Sequence, residues 1–360
     1  MRVALIMGTS TGGTGKHVRE LAQGLVGAGH DVVVLAPAGE LDQFDLAGAG
    51  AATVALGIAD RPHPLHDSRA IATMRDVGGS ADVVHAHGAR VGALAALALV
   101  RVPTPLVVTL HNASPGGGLS GRIHAVLERV VARAADLVLG VSADIVETQL
   151  GLGARRAELA VIAAPPPGTV THDRYAVRRD LGIDARTLLL VTVARLAPQK
   201  DLDLLIDAVA EMLQRHEIPV LAAVAGDGPD RERLQQRIDT CCVPVRLLGH
   251  RTDVADLIAA ADAVVSTARW EGQPVGLQEA LHAGAAIVAT DAGGTGAVVG
   301  DAAILVPVGD VASMARALAD VLVHGAVRDD LRSRAISRGG ELPTSADALE
   351  AALAAYRSVL

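Results

Sequence analysis

Lysine is nearly missing from this chain. Of 32 basic residues only Lys16 and Lys200 are lysines, and Asn112 is the sole asparagine. A bias of that kind replaces lysine with arginine wherever either serves, so a lysine that persists marks a place where the broad planar guanidinium does not fit. Cysteine is scarce too. Cys241 and Cys242 are adjacent, close no useful loop and cannot hold a metal alone, which excludes a disulfide scaffold and points to a reduced, cytoplasmic protein. Aromatic residues make up 1%, so the core has to be built from Leu, Val, Ile and Ala. No long apolar run exists: the best candidate, Val91 to Leu110, is broken by Arg101, Pro103 and Pro105, which excludes a bilayer span. The opening Met1–Met7 runs straight into Gly8 and reads as a short buried strand, not a signal peptide. A net charge of −8 argues against nucleic acid, and against anionic lipid, as partners of the whole surface.

What is present is a long, apolar, rhythmic chain. Its 360 residues suit two domains, and with 50% apolar residues a sizeable core can form. Val3–Met7, Val32–Leu35, Val83–His85, Leu106–Thr109 and Leu137–Val141 read as buried parallel strands alternating with helical patterns. The proline-dense stretch Ala163–Gly168 interrupts that rhythm and reads as a linker. The rhythm then restarts with Leu188–Val193, Val220–Ala225, Val245–Leu248, Ala263–Ser266, Ala286–Ala289 and Ala303–Val306, and a final amphipathic helix covers Ala346–Leu360. The expected fold class is α/β: two Rossmann-like, doubly wound domains, residues 1–168 and 169–344, facing a ligand cleft.

Four groups of residues carry possible chemistry. The loop Gly8–Lys16, containing Gly12, Gly13 and Gly15, joins a strand to a helix whose amides can hold phosphate. It is not a P-loop, because Ser10 and His17 stand where Gly and Ser or Thr are required. A short-chain dehydrogenase would need a Tyr with a Lys four residues on, and neither Tyr175 nor Tyr356 has one. A diphosphate contact and a turn needed only for packing both stay open. Arg195 and Lys200 leave the carboxyl end of strand Leu188–Val193, where α/β folds bind anions, and two cations there can neutralise a diphosphate leaving group. Glu271 and Glu279, with seven residues between them, follow strand Ala263–Ser266; they can accept hydrogen bonds from sugar and ribose hydroxyls while the amides near Gly272 and Gln273 approach phosphate. His111 ends a strand of the first domain, where it can meet a sugar hydroxyl or serve structure alone. With His85 and His87 it could form a metal set, although no acidic ligand is obviously placed, so no metal is expected.

In this order the motifs resemble glycosyltransferase family 4, the retaining family with the GT-B fold, over nearly the whole chain. The Gly-Gly loop with His17-Val18, the run Asp82–His87, Thr109-Leu110-His111, Arg195 with Lys200, Gly226-Asp227-Gly228-Pro229, Glu271 with Glu279, and Gly293-Gly294 all carry the resemblance. It implies a hexose moved from a nucleotide-diphosphate sugar, with no cofactor and no bound metal, by front-face attack in which the leaving phosphate helps deprotonate the acceptor. It further implies that Arg195 and Lys200 bind the diphosphate, Glu279 the ribose, Glu271 the sugar, Gly12 and Gly13 the distal phosphate, and His111 the sugar or acceptor. The last helix, 345–360, would cross back to the first domain. Three departures stand out: Asp201 replaces the Gly that often follows the lysine, Gly293–Ala297 lacks the usual Pro-Glu, and Ala164-Pro165-Pro166 stands where Pro-Asn-Gly is usual.

A GT-B epimerase and a catalytically silent nucleotide-sugar-binding protein remain as alternatives. The acceptor, small molecule or glycan- or lipid-linked, is not specified by the sequence. The segment 119–133 reads as an amphipathic helix with Arg122, Arg129 and Arg133 along one side and Ile123, Val126, Leu127, Val130 and Val131 largely opposite. Packing of that apolar side on the sheet is favoured over contact with a membrane surface.

Overall fold

A computed structural model describes residues 1–10, 12–58, 63–112 and 118–360. The chain divides into two compact units: Met1–Ala163 with Pro343–Leu360, and Ala164–Leu342.

The first unit is built on a parallel sheet of β1 (Arg2–Met7), β2 (Asp31–Ala36), β3 (Ala52–Ala55), β4 (Val83–His87), β5 (Leu106–Leu110), β6 (Leu137–Gly140) and β7 (Ala157–Leu159), in spatial order β3-β2-β1-β4-β5-β6-β7. The central strands are buried on both faces, which is why they read as unbroken apolar runs. The two strands absent from the sequence reading, β3 and β7, form the edges and are mostly exposed, so neither carries such a run. Met7 pairs with His87 and His87 with Thr109, which brings the carboxyl ends of β1, β4 and β5 to one level.

Val18, Leu21, Ala22 and Leu25 of helix Gly13–Gly27 pack against Val3, Leu5, Met7, Val32 and Val34. The helix Ser345–Arg357 starts at a capping box of Thr344 and Asp347 and buries Ala352, Ala355 and Tyr356 in the same core. Across the sheet lies helix Gly118–Ala134, where Val131 and Ala132 are buried. The packing there is less complete than its sequence suggests. Ile123 and Val126 are exposed along with Arg122, Arg129 and Arg133, because among the described residues the buried contact is made by the last turns of the helix.

The second unit repeats the plan with β8 (Leu188–Val193), β9 (Val220–Ala225), β10 (Val245–Gly249), β11 (Ala263–Ser266), β12 (Ile287–Thr290) and β13 (Ala303–Val306), ordered β10-β9-β8-β11-β12-β13 and all parallel. Leu202, Leu205, Ile206 and Val209 of helix Leu202–Arg215 lie in one of its two apolar layers. Among the described residues no helix is long and apolar enough to cross a membrane.

Candidate functional site

Strand order reverses between β8 and β11 in the second unit, and such a switch point is where open α/β sheets leave room for a ligand. Arg195, Lys200, Glu271 and Glu279, singled out by sequence, follow β8 and β11. Arg195 follows β8 directly, is exposed, and has no ion-pair partner among the described residues. Lys200 ends the 3-10 turn Pro198–Lys200 and pairs with the carboxylate of Glu271, which follows β11 and is only 7% exposed. Gly272 is buried beside it, and Gln273 accepts a hydrogen bond from Gln278 Nε2 at 2.8 Å. Glu279 sits half-buried one turn into helix Val275–His282.

Backbone stitching fixes this arrangement. The Lys200 carbonyl accepts from Thr267 Oγ1 at 2.9 Å, the Trp270 carbonyl from Gln199 Nε2 at 2.8 Å, and the Gln199 carbonyl from the Arg269 amide at 2.8 Å. Asp201, where the family often has Gly, explains itself: its backbone is left-handed (φ 44°, ψ 50°), a conformation natural to Gly and tolerated by Asp. Its buried carboxylate takes Arg269 Nε at 2.9 Å, so Asp at this position adds a further tie between the two loops. The loop bearing Arg195 is held on its other side by Gly226-Asp227-Gly228-Pro229. Leu196 N donates to the Asp227 carbonyl and Asp230 N to the Leu196 carbonyl, both at 3.0 Å. A Cβ on Gly226, whose φ is +146°, would stand 1.9 Å from the Ala194 carbonyl oxygen. The Gly293-Gly294 turn supports Glu271 in turn, since Gly294 N donates to the Glu271 carbonyl at 2.7 Å. Thr267, Gln199 and Arg269 were not found from sequence; common polar residues in loops carry no signal until the loops are seen together.

In the first unit the glycines of the β1 loop separate into two kinds; Thr11, between them, lies outside the described residues. Gly15 serves packing, because a Cβ there would meet the Phe44 ring at 2.3 Å. Among the described residues Gly12 and Gly13 have no such neighbour within 4 Å, which leaves their backbone open to approach. Four histidines gather at the carboxyl ends of β1, β4 and β5. His85 is committed to structure: Nδ1 bonds the Tyr356 hydroxyl at 2.8 Å and Nε2 the Thr109 hydroxyl at 2.7 Å. His87 Nδ1 and His111 Nε2 are 3.2 Å apart, so one donates and the other accepts, and the His17 ring lies edge-on to both. Burial holds all four imidazoles neutral. It pushes His17 down to about 4 and, with repulsion from His17, His85 to about 3; burial first, then repulsion from neighbouring imidazoles (His85, His111 and His17 on His87, His17 and His85 on His111), holds His87 and His111 well below the ordinary value. Among the described residues no group of three or more His, Cys, Asp or Glu is placed to hold a metal ion.

The comparisons with known proteins follow this layout. Residues 12–165 match the family described as Glycosyl transferase 4-like domain, and residues 173–338 match Glycosyl transferases group 1. Glycogen synthase of Mycobacterium tuberculosis is 32% identical over an alignment covering 86% of this chain and 82% of its own. Phosphatidyl-myo-inositol mannosyltransferase of Mycolicibacterium smegmatis is 29% identical, with 95% and 89% covered. Among solved structures, Anabaena HepE in complex with UDP superposes with a TM-score of 0.82 over 99% of this chain and all of that one, at 21% identity. Two Rossmann-like units, each with a strand-order reversal, and a relative 32% identical over most of both chains lead to one conclusion: the chain belongs to glycosyltransferase family 4 and has the GT-B fold.

Proposed function

We propose that this glycosyltransferase is a retaining hexosyltransferase that uses a nucleotide-diphosphate sugar, without metal or cofactor. The observation that supports this best is the cationic switch point of the second unit, where Arg195 and Lys200 stand on one stitched loop beside the buried carboxylate of Glu271. Two cations at the carboxyl end of a strand suit a diphosphate leaving group and supply the charge stabilisation that a divalent ion gives elsewhere. Glu279 takes the ribose diol, Glu271 the hydroxyls of the transferred sugar, Gly12 and Gly13 the distal phosphate, and His111 the sugar or acceptor. In the front-face step the bond from the sugar C1 to the phosphate oxygen breaks as the acceptor oxygen bonds C1 on the same face. The acceptor proton passes to the departing phosphate, so no protein nucleophile takes part. A nucleotide-sugar donor accords with HepE, which was solved with UDP.

The test is incubation with UDP-, GDP-, ADP- and dTDP-hexoses, followed by mass spectrometry for donor consumption and proton NMR of the first-formed anomer. One donor should be consumed with retention. Inversion would overturn the retaining mechanism; an epimerised donor without loss of nucleotide would replace transfer by epimerisation; binding without turnover would mark a silent binding protein.

A further inference from the structure

The first unit has its own switch point, between β1 and β4, and a cavity of about 180 Å³ opens there. Gly8 and Thr9, His87 and Arg90, and His111 and Asn112 line it. Pockets for whole drug-sized ligands run to about 300–1,000 Å³, so this one suits a single small group.

Three features show what kind of group. The helix Ala89–Ala98 begins at the cavity, its N-cap Gly88 offers no side chain, and among the described residues no acceptor meets the amides of Ala89, Arg90 and Val91. Arg90 gives Nη2 to Asp67 at 2.8 Å, while its Nη1 is buried without a partner. His87, only 3% exposed, likewise has a buried Nε2 with no partner, its Nδ1 being engaged with His111. An uncapped helix start attracts negative charge, and a buried guanidinium proton left unbonded costs free energy that an oxyanion would recover. Among the described residues no carboxylate lines the cavity.

We infer that this cavity takes a phosphate or carboxylate of the acceptor, so that the acceptor is an anionic polyol or glycoside, not a neutral sugar. The inference rests on the transferase reading above and adds the acceptor's chemical class. It also sets the state of His111. An anion bound to His87 requires a proton on His87 Nε2; because the ring is neutral, Nδ1 then accepts, and His111 must donate from Nε2. That leaves His111 Nδ1 with a lone pair to accept a hydrogen bond from a hydroxyl.

Isothermal titration of the full chain with inorganic phosphate tests this. One site should bind, Arg90→Met should weaken it about tenfold or more, and Arg90→Lys, which keeps the charge beside Asp67, should weaken it too. Thermal melts of both variants confirm that they fold. The site should persist when whichever of UDP, GDP or ADP binds is present at saturation. Failure to bind phosphate, indifference to both substitutions, or displacement by the nucleotide would overturn the inference, the last by putting the donor's own phosphate in the cavity. Displacement by glucose 6-phosphate or glycerol 3-phosphate supports a soluble acceptor, and displacement only by phosphatidylglycerol vesicles a lipid-borne one. Displacement by neither would overturn the assignment to an acceptor. Donor consumption in the same preparation is scored separately, so a failed donor reading is not mistaken for a failed anion site.

Discussion

Lowering the pH from 7 to 5 should destabilise the first unit and spare the second. His17 and His85 titrate near the ordinary 6.5 when unfolded but only at about 4 and about 3 when folded, because burial disfavours the charged ring. Their contribution is complete above the unfolded value, and it is lost as pH falls from 6.5 toward the folded values, since the unfolded chain then binds protons that the folded chain refuses. At pH 5 each costs about 2 kcal/mol by that linkage, about 4 kcal/mol for the pair. His87 and His111 act in the same direction. Against a typical total of 5–15 kcal/mol that is a large loss. In the second unit the shifted carboxylates behave differently. Burial alone would raise Asp256 and Asp262, but hydrogen bonds from His172 and Thr171 to the first, and from Leu189 N and Arg174 to the second, hold both low. Their contribution is present above the ordinary carboxylate value of about 4 and is lost only below it, so it does not change between pH 7 and 5. Hydrogen exchange read by mass spectrometry, corrected for intrinsic rates, separates the units. Peptides from β1, β4 and β5 should lose at least about 4 kcal/mol of opening free energy at pH 5 while those from β8 and β9 hold. Equal change in both units, or none in the first, would refute the buried-neutral account of the histidines.

Three further outcomes follow from particular residues. Gly226→Ala should lower donor turnover well over tenfold while the sheet persists, because its Cβ collides with the Ala194 carbonyl and displaces the loop carrying Arg195; wild-type kinetics would show that this contact is not needed. On the role proposed for Arg195 and Lys200, saturating EDTA should leave turnover within about a factor of two, and loss restored by Mg²⁺ or Mn²⁺ would contradict the diphosphate assignment. Co-sedimentation with anionic vesicles should be weak, three exposed arginines being worth only about 1 kcal/mol each; strong binding abolished by changing Arg122, Arg129 and Arg133 to Ser would reverse that preference.

Strands buried on both faces were legible to within a residue or two because burial writes an uninterrupted apolar run into the sequence. The exposed edges β3 and β7 leave no such trace. The paired switch-point residues were legible for another reason: Arg195, Lys200, Glu271 and Glu279 stand at family spacings next to recognisable strands. What supports them was not. The left-handed backbone at Asp201 looked like a departure until its φ explained it, and the link from His85 to Tyr356 spans 271 positions of chain. Arg90 carries no signal in the sequence, and only the structure shows its unpaired guanidinium nitrogen beside a cavity.

The central claim is that Lys200 acts on the leaving diphosphate. Its most direct test is donor turnover, followed by mass spectrometry, in Lys200→Ala and Lys200→Arg alongside the parent chain. Removing one preorganised charge at a transition state costs about 10²–10³ in rate, so the Ala variant should fall by at least that much while its thermal melt stays near the parent's. The Arg variant should also be impaired, because a compact ammonium paired with Glu271 is replaced by a planar fork. Parental turnover in Lys200→Ala would contradict the account.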